Sequence, residues 1–175
     1  MNYATIKNCD IANGVGVRIS LFVSGCTHRC KNCFNKEAWD FSYGAPFDEN
    51  IENQILEMLA PSYIKGLSLL GGEPFEPSNV DGLLPFMRKV ITLKNKDVWA
   101  YSGYTLEQLL AREGDEGKKT RELLSYIDIL VDGPFIEEKK SLRLKFRGSS
   151  NQRIIDVKKT LESGEITLAD IHDRT

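Results

Sequence analysis

No sign of charge dominates this chain of 175 residues: 23 lysines and arginines face 25 aspartates and glutamates, leaving a formal charge of -2. Without a strong basic field, nucleic acid and acidic membrane surfaces are poor candidate partners. No apolar run approaches the length of a membrane span, and there is neither an internal repeat nor a low-complexity linker. The opening MNYATIKNCD lacks the charged-then-apolar layout of a secretory leader, so a cytoplasmic protein is expected. Cysteine is scarce, with four in the chain, and histidine scarcer, with two. The hydrophobic fraction of 41% and charged fraction of 27% suit one globular domain over residues 1–175, with a polar segment from about 137.

The scarce cysteines are not scattered. Cys26, Cys30 and Cys33 fall within GCTHRCKNCFN as C-x3-C-x2-C, and Cys9 stands apart. In a reducing compartment such clustering points to a metal or to catalysis more than to disulfides. A 4Fe–4S cluster is ordinarily held by four thiolates. Three would leave one iron open, and an open position marks a chemical site by the logic that separates catalytic from structural zinc. Zinc stays an alternative at this level, completed by His28, whose spacing is poor, or by the distant Cys9. Cys9 otherwise reads as a small buried hydrophobe.

Strand and helix patterns alternate along the chain. Val17 to Val23 is β-rich and runs into the cysteine loop. Helical spacing follows over 50–60, with Asp48 as a cap, then a short strand over 67–70 stopped by Gly71 and Gly72. Residues 79–93 read as a helix that Pro85 kinks or starts late. A strand over 98–101 ends at Ser102-Gly103, and Thr105 with Gln108 opens a helix as a capping box. A helix over 118–126 and a strand over 127–131, stopped by Asp132-Gly133, complete the assignable part. The basic run 139–147 reads as a loop or an edge strand. This alternation means α/β with mostly parallel strands. The glycine-rich stops follow strands, so the cysteine loop, Gly71-Gly72-Glu73, Ser102-Gly103 and Asp132-Gly133 are expected on one rim, where α/β folds bind ligands. A complete (β/α)8 barrel takes roughly 200 residues or more, so an open partial (β/α) barrel is expected.

The three-cysteine loop after a strand, together with Leu69-Leu70-Gly71-Gly72-Glu73-Pro74, resembles the radical S-adenosylmethionine superfamily. Asn13 to Arg18 (NGVGVR), LFVSGCTHRC, Cys33-Phe34-Asn35 with Trp39, and FRGSSNQR resemble, within it, the activating proteins of the anaerobic ribonucleoside-triphosphate reductase. The resemblance spans nearly the whole chain. It implies that Cys26, Cys30 and Cys33 ligate a 4Fe–4S cluster whose open iron takes S-adenosyl-L-methionine. Reductive cleavage would then give a 5′-deoxyadenosyl radical that takes a hydrogen atom from a glycine of the reductase.

The resemblance also implies that Gly71, Gly72 and Glu73 lie beside the methionyl amino group. Asn32 and Phe34 are expected near the adenine or ribose, with Ser102 as a further cofactor contact. Beyond the cluster and cofactor it implies no catalytic residue. A flavodoxin or ferredoxin-type electron donor is expected, and Lys139, Lys140, Arg143, Lys145 and Arg147 could meet it. Asp132 is either a turn cap or a functional carboxylate, His28 a hydrogen-bonder within its loop, and His172 solvated. Three competing functions are an activase of another glycyl-radical enzyme such as pyruvate formate-lyase, a radical enzyme acting on a small molecule, and a metal-binding or electron-transfer module.

Overall fold

The computed structural model describes residues 1–173. One seven-stranded sheet runs through it. Its strands are β1 (Asn2–Asp10), β2 (Val17–Val23), β3 (Ala45–Pro46), β4 (Ile64–Gly71), β5 (Asp97–Tyr101), β6 (Ile129–Asp132) and β7 (Arg153–Asp156). Their order across the sheet is β3-β1-β2-β4-β5-β6-β7. The four central strands β2, β4, β5 and β6 are parallel, while β1, β3 and β7 pair antiparallel at the flanks. The helices are α1 (Glu49–Leu59), α2 (Pro77–Val90), α3 (Leu106–Leu110), α4 (Gly114–Ser125) and α5 (Val157–Ser163). None is long and apolar enough to cross a membrane among the described residues.

Side chains alternate across a strand, and that alternation sorts the sheet into two unlike faces. Ile19, Leu21, Val23, Leu67, Leu69, Val98, Ala100, Leu130 and Ile155 share one buried cluster with Ile55, Leu83, Leu106, Leu123 and Val157, so all five helices cover the same face. The other face carries Arg18, Ser20 and Ser68, all with no exposed surface, and Trp99 with Val131 and Ile154 in a smaller core. Among the described residues no helix packs on this second face. Residues 11–16 cross it, with the Ser68 hydroxyl donating to the Asn13 carbonyl at 2.6 Å. Phe146, Ala169 and Ile171 of the C-terminal segment pack on its far side.

The buried Arg18 guanidinium holds that crossing loop. It donates to Ser68 Oγ at 2.8 Å, to the Val15 carbonyl at 3.0 Å and to the Leu67 carbonyl at 2.8 Å, and pairs with Asp97 at 2.6 Å. A buried charge needs such partners. Gly14 lies against it at φ +132°, where an added Cβ would meet the Arg18 Cδ at 2.8 Å.

Several sequence expectations need correction. The strand Asn2–Asp10 was not expected, so the cysteine loop follows the second strand in the chain, which is the first of the parallel set. Cys9 is exposed, not buried: it sits at φ +55° where the β1–β2 register slips, and its thiol reaches only Asn8. Pro85 neither delays nor interrupts α2, which begins at Pro77. The proline removes one N–H, while Leu83, Leu84, Phe86 and Met87 are buried around it and keep the helix seated. The helix expected over 118–126 begins at Gly114. In the polar tail, β7 and α5 form; Asp156 caps α5 by accepting from the Lys159 N–H at 3.0 Å, and Gly164 at φ +74° ends it. The basic run is a loop, joined to its own return by one bridge between Lys140 and Ser149. Asp48 caps α1, and the Thr105–Gln108 capping box opens α3, as expected.

Candidate functional site

The parallel strands deliver their carboxyl ends to one cavity of about 410 Å³, a size suited to a small cofactor. Cys26, Cys30 and Cys33 line it, with Gly71, Gly72 and Glu73 from the end of β4, Ser102 and Gly103 from the end of β5, and Gly133 from the end of β6. The rim expected from the glycine-rich stops is therefore present. The wall also includes Tyr101, Phe146 and Arg147.

Glu73 organises this rim. Its side chain is 1% exposed, yet each carboxylate oxygen has two donors. Oε1 accepts from the Phe75 N–H and the Ser102 hydroxyl, both at 2.9 Å. Oε2 accepts from the Gly103 N–H at 2.7 Å and lies 2.9 Å from His28 Nε2. That hydrogen bond raises the His28 pKa, because the carboxylate stabilises an imidazolium. One carboxylate thus ties together the cysteine loop, the β4 turn and the β5 turn. His28 is the loop hydrogen-bonder expected, and its ring packs on Tyr104 with centroids 4.3 Å apart.

The start of α2 seats the cysteine loop from below. Glu76 Oε1 accepts from the Thr27 N–H at 2.8 Å and from its hydroxyl at 2.6 Å. Asn79 donates to the Ser24 carbonyl at 3.0 Å and to the Glu73 carbonyl at 2.9 Å. Gly72 touches the same loop: an added Cβ would lie 2.5 Å from the Gly25 carbonyl oxygen. Glycine is needed here by the protein's own backbone. Sequence reasoning missed Glu76 and Asn79. The signal was a buried-type acid and amide directly after a glycine turn, in GGEPFEPSN.

Asn32 lies at φ +56° between two of the cysteines, and Phe34 is 86% exposed at the cavity edge. Burial pushes the Cys26 thiol up to about 11, so metal binding at this sulfur must displace a proton. Cys33 Sγ accepts from the Asn35 N–H at 3.5 Å. Among the described residues, no three His, Cys, Asp or Glu side chains converge where one metal ion could sit. The indole N–H of Trp39, in the same wall, is buried without a partner among the described residues. Three thiols from one loop and a spare donor fit an iron–sulfur group, and Cys9 is not among the lining residues.

Comparison with known proteins agrees with this donor set. A family model described as a 4Fe-4S single cluster domain matches residues 12–155. An anaerobic ribonucleoside-triphosphate reductase-activating protein of Pasteurella multocida is 47% identical over 157 residues, covering 88% of this chain and 96% of that protein. The protein of the same name from Escherichia coli K12 is 40% identical over 155 residues, covering 87% and 96%. The one from bacteriophage T4 is 36% identical over 157 residues, covering 88% and 93%. The chain belongs to the family of anaerobic ribonucleoside-triphosphate reductase-activating proteins.

Within this activating-protein family, the sequence left the role of Asp132 open between a cap and a functional carboxylate. Asp132 is 1% exposed, accepts from the Leu106 N–H at 2.8 Å at the start of α3, and pairs with Arg153. Arg153 also grips Glu107, whose carboxyl it holds down at about 2. Asp132 is thus turned away from the cavity and braces α3 against β6 and β7. His172 is exposed and 2.9 Å from Asp170.

Proposed function

We propose that this chain activates an anaerobic ribonucleoside-triphosphate reductase by generating a glycyl radical on it, as a single radical S-adenosylmethionine domain over residues 1–175 working in the cytoplasm. The observation that carries the reading is that three thiols of one loop share a cavity wall with the carboxyl ends of β4, β5 and β6. The names and coverage of the relatives support the choice of partner.

In this reading Cys26, Cys30 and Cys33 hold a 4Fe–4S cluster, and S-adenosylmethionine binds at the iron they leave without a thiolate. When bound, the pair supplies one-electron cleavage of a sulfonium and, through it, removal of a hydrogen atom from a glycine Cα. The chain's own part is positional. Gly71 and Gly72 present backbone to the cofactor, Glu73 fixes the three turns around it, and Ser102 stands at the next strand end. Asn32 and Phe34 border the nucleoside. A sheet with helices on one face, and loops alone on the other, supports an open partial barrel of the radical S-adenosylmethionine type. Such a face admits a protein-borne glycine loop. Exposed Lys139, Lys140 and Arg143, of which Lys140 lines the cavity, support docking of an acidic flavodoxin or ferredoxin-type donor.

The test is electron paramagnetic resonance on the cluster-loaded protein mixed anaerobically with reductase, reductant and S-adenosylmethionine. A glycyl doublet on the reductase is expected, and alanine at its radical glycine should remove it. No doublet despite an intact, reducible cluster would falsify the assignment of the partner.

A further inference from the structure

We infer that the Trp39 indole N–H donates a hydrogen bond to the sulfur framework of the cluster and raises its reduction potential. The inference rests on the reading that the three thiols hold that cluster, and adds a residue to which the reading gives no role. Three observations carry it.

The first is the orphaned donor. Trp39 Nε1 is buried and has no partner among the protein's own groups. Native proteins leave very few buried donors in that condition. The second is place. Trp39 shares the main cavity wall with all three cysteines, and shares with Cys26 a second hollow. The third is that the residue's backbone is fixed against the cysteine loop. The Trp39 carbonyl accepts from the Cys26 N–H at 3.3 Å, and the carbonyl of the fully buried Ala38 accepts from the Gly25 N–H at 2.8 Å. The short 3-10 turn Lys36–Trp39 is thereby docked on the strand end that starts the cysteine loop.

An indole nitrogen only donates, so it seeks an acceptor, and the bound group brings several. Cluster sulfurs are such acceptors, and hydrogen bonds to them are one of the levers on potential. The sign follows from charge. Reduction adds an electron, the sulfurs become better acceptors, and a fixed donor favours the reduced state. Asn35 already supplies a backbone donor to Cys33; Trp39 is the side-chain counterpart.

The experiment is a redox titration, followed by electron paramagnetic resonance, of the cluster-loaded chain without S-adenosylmethionine or reductase. Trp39→Phe keeps the bulk of the ring and removes the N–H. The expected result is an equilibrium constant for reduction lower by about tenfold, equivalent to about 59 mV for one electron, at unchanged iron content. A second readout is independent of potential. The chain has two tryptophans, and the other, Trp99, packs against Phe146. With ¹⁵N-indole labelling, a nitrogen coupling to the reduced cluster should persist in Trp99→Phe and vanish in Trp39→Phe. An unchanged potential, or no nitrogen coupling in fully loaded protein, overturns the inference while leaving the cluster reading in place. If Trp39→Phe does not fold, the coupling in Trp99→Phe decides alone. If the wild-type chain takes up no cluster, the underlying reading falls, and this inference with it.

Discussion

Replacing Glu73 by Gln changes one atom and one charge, and the structure gives the cost. The carboxylate is 1% exposed and accepts from four groups, two on each oxygen. A glutamine must point its NH2 at one of those pairs. If the NH2 replaces Oε1, the Ser102 hydroxyl can rotate to accept, but the Phe75 N–H cannot. If it replaces Oε2, a neutral His28 can offer a lone pair, but the Gly103 N–H cannot. Either way one buried backbone donor is stranded, at about 1–3 kcal/mol, and the remaining bonds lose their charge assistance. A loss of about 3 kcal/mol is expected. For a domain of this size each kcal/mol lowers the melting temperature by about 2–4 °C, so the shift should be about 6–12 °C. The assay is thermal and urea unfolding of the cluster-free chain, followed by circular dichroism, which keeps cofactor binding out of the measurement. Glu73→Ala should be worse, because it strands all four donors. A Glu73→Gln protein within about 0.5 kcal/mol of wild type would refute the strut assignment and leave Glu73 as a ligand contact only.

Alanine at Cys26, Cys30 or Cys33 is expected to abolish the cluster, and alanine at exposed Cys9 to leave it, as read from iron and sulfide per chain after anaerobic reconstitution. Gly72→Ala should destabilise by about 1–3 kcal/mol, since its Cβ would press on the Gly25 and Ala38 carbonyls at 2.5 and 2.9 Å; an unfolding midpoint equal to wild type contradicts this. Phe34→Ala should leave stability within about 0.5 kcal/mol because the ring is 86% exposed, yet weaken S-adenosylmethionine binding by equilibrium dialysis; a marked fall in unfolding midpoint would show a packing role instead. Arg153 holds the Glu107 carboxyl at about 2, below its ordinary 4.5. The stability this confers is complete above 4.5 and lost as pH falls through about 2. Urea midpoints between pH 5 and 2 should therefore fall less steeply in Glu107→Gln, and equal slopes would count against the pairing.

The parts of the fold legible in the sequence were those with a strong local signal. Asp48 and the Thr105–Gln108 box announced α1 and α3, because caps are written in single residues. The buried parallel strands announced themselves as short apolar runs ended by glycine. What escaped was set by tertiary context. The strand Asn2–Asp10 is mostly polar and half-exposed, since it flanks the sheet with one neighbour beyond it, the two-residue β3. The Arg153–Asp156 strand is four residues long and gains its pairing from β6 and from a single bridge to Leu168. Of the site, the thiols and the glycine turns were visible as spacing. The struts were not: Glu76 and Asn79 have no spacing rule, and their burial beside a loop reveals them.

These struts bear on how the site would work. A cofactor-binding wall made of loops pays ordering entropy each time it binds, unless the loops are already held. Here the cysteine loop is fixed at Gly25 and Cys26 by the carbonyls of Ala38 and Trp39, at Thr27 by Glu76, and at His28 by Glu73. The same Glu73 fixes the β5 turn. By contrast, among the described residues no such side-chain bonds hold Asn32 or Phe34, and Phe34 is exposed. The wall is therefore rigid at its base and free at the Asn32–Phe34 edge. Rigidity belongs where thiols must meet irons at fixed distances, and freedom where a nucleoside and a partner's loop must enter. Exchange of backbone amide hydrogens should divide the loop accordingly, with Gly25 and Cys26 protected in the cluster-free chain and Asn32 and Phe34 exchanging fast. Uniformly fast exchange across 25–34 would mean that the cluster, not the carboxylate struts, orders the loop.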